Sequence, residues 1–444
     1  MSVLNSYTIN YDHIIALVFD TTSLNTGTRT GIVRQLEQKM GKKFLQLACR
    51  HHVLELIACA CCSEVYGKNT TCPTEPTFEV LKKQWRNINK DDIKNCQDQF
   101  QFLNREIKTR IASVVVYLQS WLKCNSKTCL RDDYKQLVVL TLLFLNGTIP
   151  LEKYSIGAPG ACHHARWMAR IIYSLKIALF HHQLEPFLDT TLLNKISSLA
   201  LFICIFYVRP WLEATKSSTA PENDLNLLKA FHRVEKKSKT VSRKVNIQNC
   251  YPPYFQDFAV ASQAKFVDHL WYLSERLVPF CLFSETTTIA QKQNVRVAML
   301  KCKEEAAGEN MCIPSFSSEK SDKYQLQDFV GPDSWTFFKL VSANLENSAA
   351  RLSFIDTHPS TWSNNEDYKI IKMNVDNLPV VNDAAERALG LLTEFNQQTL
   401  LNDEEQKQYV YKIVKELRNQ QTNIVKGSER VTKQTIASIN FDSI

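Results

Sequence analysis

The chain has 444 residues, of which 44% are hydrophobic and 22% are charged. This composition is typical of a folded globular protein long enough for two or three domains, and it excludes a chain that is disordered throughout. The formal net charge of +8 permits contact with nucleic acid or with an anionic membrane surface, but it requires neither.

The cysteines and the first residues indicate where the protein works. The chain has 14 cysteines, and residues 1–12 show neither the basic nor the apolar segment of a signal peptide. We therefore expect reduced thiols in a nuclear or cytoplasmic protein that is not secreted. The longest apolar run, residues 199–208, is shorter than the ~20 residues that span a bilayer, so it predicts a buried core helix and no membrane partner.

The first 57 residues predict a strand–helix–strand–helix unit. Residues 14–19 and 44–48 are apolar and short enough to be buried strands, and residues 29–39 between them have helical apolar spacing. A further amphipathic helix follows from Val53. Strands joined through a helix favour parallel pairing. Polar residues just past both strands are then expected at the carboxyl edge of the sheet, where α/β folds usually place their sites.

From residue 78 onward the apolar spacing becomes helical, and strand-like alternation is nearly absent up to residue 207. The predicted helices are 78–88, 91–123 in two pieces, 132–145, 163–182, 191–214, 223–232, 255–277, 382–397 and 404–419. The predicted fold class is therefore α+β and predominantly α-helical.

Asp20 is the first candidate site residue, because it ends the first predicted strand and is followed by Thr22 and Asn25. A carboxylate with hydroxyl and amide neighbours suits a divalent metal ligand that is supported by its surroundings. The alternative is an aspartate that only caps the turn or the next helix.

Cys49 and His52 form a Cys-x-x-His pair directly after the second predicted strand. Such a pair suggests zinc, but a structural zinc site needs four ligands, and the cysteines that follow form no clean second pair. We therefore expect no zinc. The alternative is that Cys49 packs under the sheet while His52 supports the Asp20 site.

The third candidate is a glycine-proline loop, residues 157–160, that leads into a helix carrying His163, Arg166, Trp167 and Arg170. Cationic and aromatic side chains at a helix start suit phosphate contact together with base stacking. The alternative is a helix whose tryptophan packs in the core and whose arginines are solvated.

A basic segment, residues 233–244, contains Lys236, Lys237, Arg243 and Lys244. It is either a solvated linker or a contact to the DNA backbone, since clustered lysine and arginine supply affinity that does not depend on sequence. Glu386, near the start of a late predicted helix, is either a surface residue or a second metal ligand.

Four motifs, taken together and in this order, resemble the catalytic region of hAT-like transposases. They are FDTT…NTG with Asp20, LACRHH with Cys49 and His52, GAPG…HHARWMA with Arg166 and Trp167, and LPVVND…ER with Glu386. The resemblance covers residues 14–395, and it is closest to a group of transposon-derived animal proteins that carry these motifs.

The resemblance implies an RNase H-like core interrupted by a large all-α insertion. Residues 1–67 would be the amino-terminal part of the core, 68–330 the insertion, 331–423 the carboxyl-terminal part of the core and 424–444 a flexible tail. In this family three carboxylates hold two divalent metals, Mg²⁺ or Mn²⁺, that activate water or a 3′-hydroxyl for attack on DNA. Asp20 matches the second carboxylate and Glu386 the third. Cys49 and His52 match a supporting pair near the site, and Arg166 and Trp167 match an Arg-Trp pair that contacts DNA ends.

The sequence departs from the family pattern at the first catalytic aspartate. That residue belongs to the first strand of the core, whereas the 19 residues before Asp20 cannot hold three strands. We therefore expect an N-terminally truncated, catalytically inactive transposase-like protein, which is either a fragment of a longer element or a domesticated remnant that binds DNA or a partner. The alternative is a non-enzymatic helical scaffold or protein-interaction module. DNA and a second copy of the chain are the expected partners, and no small-molecule cofactor is expected.

Overall fold

The structure, a computed structural model, describes residues 14–27, 31–67, 75–100, 103–125, 132–149, 156–159, 166–241, 251–303, 316, 322–343 and 350–381. Its strands are β1 (Ala16–Phe19) and β2 (Leu45–Ala48). Its α-helices up to residue 144 are α1 (Ser23–Thr26), α2 (Ile32–Met40), α3 (Arg50–Tyr66), α4 (Pro76–Gln84), α5 (Cys96–Gln99), α6 (Arg105–Asn125) and α7 (Asp132–Phe144).

The α-helices after residue 165 are α8 (Arg166–Leu179), α9 (His181–Leu184), α10 (Thr190–Phe206), α11 (Val208–Glu213), α12 (Ala220–Val241), α13 (Phe255–Val267), α14 (Ile289–Lys301), α15 (Thr336–Ala343) and α16 (Glu366–Asp376). Short 3-10 helices are Trp271–Leu273, Val278–Phe283, Leu326–Phe329, Pro332–Trp335, Ala350–Asp356 and Pro359–Asn364. The protein is thus predominantly helical with a small sheet, which confirms the predicted α+β fold class. The RNase H-like core stays a prediction.

The sheet consists of β1 and β2, which pair in parallel with Ala16 opposite Leu45 and Phe19 opposite Ala48. The predicted parallel pairing is therefore confirmed. β2 is almost fully buried, as expected of a parallel strand covered on both faces, whereas three of the four residues of β1 are partly exposed. The sheet forms because short apolar runs alternate with a helix that carries the chain back to the starting edge.

Helix α2 is joined to β2 by a buried carboxylate and a left-handed turn. Glu37 is 5% exposed, and its Oε1 accepts hydrogen bonds from the backbone N–H of Phe44 at 3.2 Å and from Nε2 of Gln46 at 3.3 Å. Gly41 ends the helix with φ +63°, a conformation that favours glycine because other residues have a Cβ. The turn and the carboxylate together direct the chain into β2.

Helix α10 is the predicted core helix, and all residues from Ile196 to Phe206 are buried. Asp189 caps its start by accepting from the backbone N–H of Leu192 at 2.9 Å. The stretch Thr190–Glu213 is the one described helical stretch long and apolar enough to cross a membrane, and 78% of its most apolar window is buried inside the protein. A core helix is expected to have this same composition.

Several helical predictions differ from the structure in their limits, among them 78–88, 91–123, 163–182, 191–214, 223–232 and 255–277. The predicted helix 191–214 divides after Phe206 into α10 and α11. The predicted helix 223–232 is longer, since α12 continues to Val241 through the first part of the basic segment. Lysine and glutamate there are good helix formers, which offsets the lack of large apolar residues. The predicted helix 255–277 ends at Val267 and is followed by a 3-10 helix.

The chain divides into two compact units that alternate along the sequence. The first comprises Met1–Ile57, Pro210–Arg233 and Ser262–Asn382, and it contains the sheet and an aromatic core that includes Phe283, Phe354, Trp362 and Tyr368. The second comprises Ala58–Arg209, Val234–Ala261 and Asp383–Ile444, and its described part is helical. The domain limits at 67, 330 and 423 stay predictions.

Candidate functional site

Asp20 lies directly after β1, in a loop that supplies it with hydrogen-bond donors. Its Oδ1 accepts from the Thr22 backbone N–H at 3.1 Å, from Thr22 Oγ1 at 2.5 Å and from Asn25 Nδ2 at 2.7 Å. Thr22 and Asn25 thus hold the Asp20 carboxylate in place, and their support of an active site stays a prediction. The same backbone bond also closes a turn, as aspartate side chains often do.

The Asp20 carboxylate is held in its charged form. Burial would raise its pKa, but the hydrogen bonds from Thr22 and Asn25 and the nearby His52 imidazole together hold the pKa below the ordinary value of 3.8. All three of the hydrogen bonds to the Asp20 carboxylate go to Oδ1, and no described residue donates to Oδ2. One carboxylate oxygen is therefore fixed by the loop, and the other can accept a cation or a proton donor.

The loop after Asp20 closes through two glycines that approach each other. The Gly31 backbone N–H donates to the Gly27 carbonyl oxygen at 2.9 Å. A Cβ on Gly31 would lie 2.4 Å from that oxygen, closer than any side chain tolerates. The NTG sequence after Asp20 thus supplies both the Asn25 donor and a close backbone contact that brings the chain back to α2.

Cys49, His51 and His52 follow the end of β2, beside the end of β1. The Cys49 backbone N–H donates to the Phe19 carbonyl oxygen at 2.7 Å, which joins the two strand ends. The Cys49 side chain is buried, whereas His52 is partly exposed and near enough to Asp20 to influence its pKa. The structure therefore brings Asp20, Thr22, Asn25, Cys49 and His52 to one edge of the sheet.

A second imidazole lies near His52, and the sequence did not indicate it. His269 follows α13, and burial first, then the charges of Lys265 and His52, lower its pKa. His52 thus lies near enough to both Asp20 and His269 for its charge to influence their pKa values. Sequence spacing carries no signal for this proximity because His269 lies more than 200 residues after His52.

Arg50, between Cys49 and His52, forms the buried ion pair of the site. Its Nη2 lies 2.6 Å from Asp224 Oδ1, and the two side chains are 3% and 8% exposed. Burial raises the pKa of Asp224, and the Arg50 charge and hydrogen bond oppose that rise. The Arg50 guanidinium also lies 5.4 Å from the Tyr272 ring centroid. A buried arginine requires an acidic partner. A search for such a partner of Arg50 is the way in which Asp224 could have been found.

Backbone and aromatic contacts fix the segment that carries Arg50. The Arg50 N–H donates to the Val380 carbonyl oxygen at 2.9 Å, within the LPVVND motif. The Tyr272 hydroxyl donates to the Ala48 carbonyl oxygen at 2.7 Å. The His51 ring stacks on Trp211 with 3.7 Å between centroids. Three of the four sequence motifs therefore contribute to the surroundings of one sheet edge.

Metal ligation is predicted for Asp20 and Glu386, and the structure describes only Asp20. Glu386 lies outside the described residues. Within the described part of the chain, no three or more His, Cys, Asp or Glu residues form a group that could hold a metal ion. An Mg²⁺ or Mn²⁺ ion on Asp20 and Glu386 stays a prediction.

The residues predicted to bind DNA belong to the second unit. Arg166 and Trp167 are the first two residues of α8, and Arg170 follows in its second turn, partly buried. Lys236 is exposed near the end of α12, and Lys237 follows it in the same helix. His163, Arg243 and Lys244 lie outside the described residues.

Comparisons with known proteins bear on none of these assignments. No protein-family model, no curated protein and no solved structure matches this chain.

Proposed function

We propose that this chain is a transposase-derived protein of the hAT type with an RNase H-like core, and that its function is DNA binding. The observation that carries the proposal is the charged Asp20 at the carboxyl end of a strand that pairs in parallel with the strand ending at Cys49. A parallel sheet with its polar residues at that edge is the arrangement an RNase H-like site needs.

The alternation of the two units along the chain supports the same proposal. The first unit holds the sheet, is interrupted by Ala58–Arg209, and resumes further along the chain. A core interrupted by a helical insertion would produce this order. The pairing of Arg50 with Asp224 and with the Val380 carbonyl group joins the separated pieces of that unit.

Binding, rather than strand cleavage, is the activity we propose. Of the family's three carboxylates the sequence carries counterparts of two, Asp20 and Glu386. Two-metal cleavage requires ligands for both metals, and within the described part of the chain no three or more His, Cys, Asp or Glu residues form a group that could hold one. Contact with DNA through Arg166, Trp167 and the basic segment needs no metal.

The proposal is tested by the affinity of the full chain for fluorescently labelled hairpin and flapped DNA, measured by anisotropy. We expect Trp167→Ala and Arg166→Ala to weaken binding by roughly tenfold each, since stacking of one base contributes about 1–3 kcal/mol. Arg105→Ala is the matched control, because Arg105 is an exposed arginine at the start of another helix of the second unit.

A loss for Arg166→Ala no greater than that for Arg105→Ala, together with an unchanged Trp167→Ala variant, would reject the Arg-Trp assignment. A wild-type chain with no measurable affinity for either DNA would reject DNA binding itself. The remaining candidate would then be the helical scaffold or protein-interaction module.

A further inference from the structure

Lys292, in the first unit, is a partly buried lysine that no carboxylate neutralises by direct contact. It belongs to the first turn of α14, and its Nζ lies 3.5 Å from the hydroxyl oxygen of Tyr368. Burial raises the pKa of Tyr368 to about 12, so this hydroxyl stays uncharged near neutral pH. Among the residues that the structure describes, no aspartate or glutamate forms an ion pair with Lys292, although lysines are rarely withdrawn from water without one.

The two carboxylates whose charges influence this amino group are bound to other partners. Glu222, in α12, accepts hydrogen bonds at its Oε2 from Thr286 Oγ1 at 2.7 Å and from Thr287 Oγ1 at 3.2 Å. Glu285 Oε1 lies 3.3 Å from the Nζ of a second lysine, Lys372. Both carboxylates therefore act on the first amino group through their charges alone, without a hydrogen bond to it.

Lys372 differs from Lys292 because it has two carboxylate partners. Its Nζ lies 2.7 Å from Asp376 Oδ2 in the same helix, α16, and 3.3 Å from Glu285 Oε1. Burial would lower the pKa of Lys372, but the hydrogen bonds and charges of Asp376 and Glu285 together raise it above the ordinary value of 10.5. Lys372 therefore stays a charged ammonium group, and it is a like charge beside Lys292.

These surroundings favour the uncharged form of the Lys292 amine. Burial lowers its pKa most, the charge of Lys372 lowers it further, and Cys281, Glu285 and Glu222 oppose the change. Cys281 is fully buried, and burial raises the pKa of its thiol, so it carries no charge near neutral pH and its opposition is absent there. A larger fraction of Lys292 than of an ordinary lysine is therefore a free amine at neutral pH.

A free amine in this place suits acyl transfer from a thioester. The Nζ lone pair attacks the thioester carbonyl carbon, the C–N bond forms, and the C–S bond breaks as its electron pair leaves with sulfur. The proton lost from the nitrogen converts the thiolate into a thiol. The amide that results is uncharged, so it removes both the cost of burying an ammonium group and the repulsion from Lys372. Its N–H can still donate to the Tyr368 hydroxyl group.

We propose that Lys292 is a nucleophilic lysine and the site at which this protein is acylated by the thioester of a small carboxylic acid. Its partial burial beside Lys372, its neutral hydroxyl partner and the engagement of Glu222 and Glu285 elsewhere carry the inference. The inference goes beyond DNA binding and does not rest on it, because Lys292 belongs to the first unit and Trp167 to the second.

The test treats the full chain with S-acetyl-N-acetylcysteamine, a small acetyl thioester, and measures the initial acetylation rate of each lysine by peptide-mapping mass spectrometry. We expect Lys292 to react roughly fivefold or more faster than Lys372 at neutral pH, since the uncharged fraction changes tenfold for each unit of pKa. Lys369 is the comparison for accessibility, because its side chain is 51% exposed. Measured between about pH 6 and 11, the rate at Lys292 should level off at a lower pH than the rates at Lys369 and Lys372.

Two variants separate the charge environment from accessibility. Lys372→Met removes the like charge and releases Glu285 and Asp376, and both changes favour the charged form of Lys292. Acetylation of Lys292 at neutral pH should then slow by roughly threefold, and its pH profile should move upward. Lys372→Arg keeps the charge and should leave the profile unchanged. The comparison of lysines within the wild-type chain needs no variant, so it carries the test if Lys372→Met does not fold.

Acetylation of Lys292 at neutral pH no faster than that of Lys372 would overturn the inference, as would a rate that levels off at the same pH as the rate at Lys369. An unchanged Lys292 profile in Lys372→Met would show that accessibility alone sets its rate, and it would also reject the proposed site. No DNA enters the measurement, so each of these failures leaves the proposed DNA-binding function standing.

Discussion

Asp20 illustrates how one residue type acquires a specific property from its neighbours. Aspartate after a strand is common, but here Oδ1 accepts three hydrogen bonds from Thr22 and Asn25. Hydrogen bonds to a carboxylate favour its charged form, and they outweigh the opposing effect of partial burial. A carboxylate that binds a metal and a carboxylate that stabilises a turn would both have a lowered pKa.

We expect Asp20→Asn to change the pH dependence of stability. Because the folded-state pKa of Asp20 is lowered, its stabilising contribution is present above the unfolded value near 3.8 and is lost as the pH falls through the folded pKa. Urea unfolding at pH 7 should show a loss of about 1 kcal/mol, reduced for partial exposure. Towards pH 2 the two proteins should converge; a constant difference down to that pH would contradict the assigned shift.

Individual loss of Arg50 or Asp224 should cost much of the stability of the protein. Removing one partner of a buried pair leaves an uncompensated charge, so Arg50→Met should lower the free energy of unfolding by about 3–5 kcal/mol. Arg50→Met combined with Asp224→Leu should recover much of that loss, since both charges are then gone. Chemical denaturation measures both effects.

Lys369→Ala is the control for the buried pair. Lys369 and Glu366 form an exposed pair at 2.6 Å, with side chains 51% and 77% exposed. Its removal should change stability by less than about 1 kcal/mol. Comparable losses for Arg50→Met and Lys369→Ala would mean that the Arg50–Asp224 pair is not buried in solution.

At the scale of elements, the residues at which α2, β1 and β2 end determine where the sheet edge lies. Helix α2 stops at Gly41, and β2 begins four residues later in register with β1. The register determines that the residues after Phe19 and after Ala48 leave the sheet side by side. A shift by one residue would reverse the faces of β2 and would move Cys49 away from the end of β1.

Gly41→Ala should therefore destabilise the protein by about 1 kcal/mol, the cost of a Cβ in the left-handed conformation. No atom lies within 4 Å of the Cβ position, so the effect is purely one of backbone conformation. Gly41→Asn should cost less, since asparagine tolerates this conformation better. Thermal unfolding distinguishes them, and an alanine variant as stable as the wild type would contradict the backbone assignment.

At the scale of the whole molecule, the charge distribution decides how DNA would be held. The chain carries 53 lysine and arginine residues against 45 acidic ones, a modest excess. An excess of this size binds DNA only where cations are clustered. The basic segment is such a cluster in the sequence, and Lys236, in the helical part of it that the structure describes, is exposed.

We expect replacement of Lys236, Lys237, Arg243 and Lys244 by alanine to reduce the salt dependence of DNA binding. Each phosphate contact contributes about −0.9 to the slope of log K against log salt, so the slope should fall in magnitude by roughly 3–4. Anisotropy titrations between about 50 and 200 mM salt measure this slope. Alanine at the exposed Lys83, Lys108, Lys123 and Lys369 is the charge-matched control. Equal slopes for the two variants would exclude the basic segment from the DNA interface.

The sequence alone determined the local helices and strands and the positions of the polar residues that follow the strands. The strand–helix–strand unit, its parallel pairing and the buried helix α10 follow from apolar spacing, which reports on residues within one or two turns of each other. For the same reason Asp20, Thr22, Asn25, Cys49 and His52 could be assigned to one sheet edge before the fold was known.

Only the tertiary structure decided which groups complete that edge. Asp224 lies 174 residues after Arg50, and Tyr272 lies 224 residues after the carbonyl group that it binds. Lys176 likewise appears in the sequence as one lysine of an amphipathic helix, although it is fully buried on the carbonyl groups of residues 157 and 158. Periodicity shows that a side chain faces the interior, but the partner of a buried charge is set by the folding of distant segments around it.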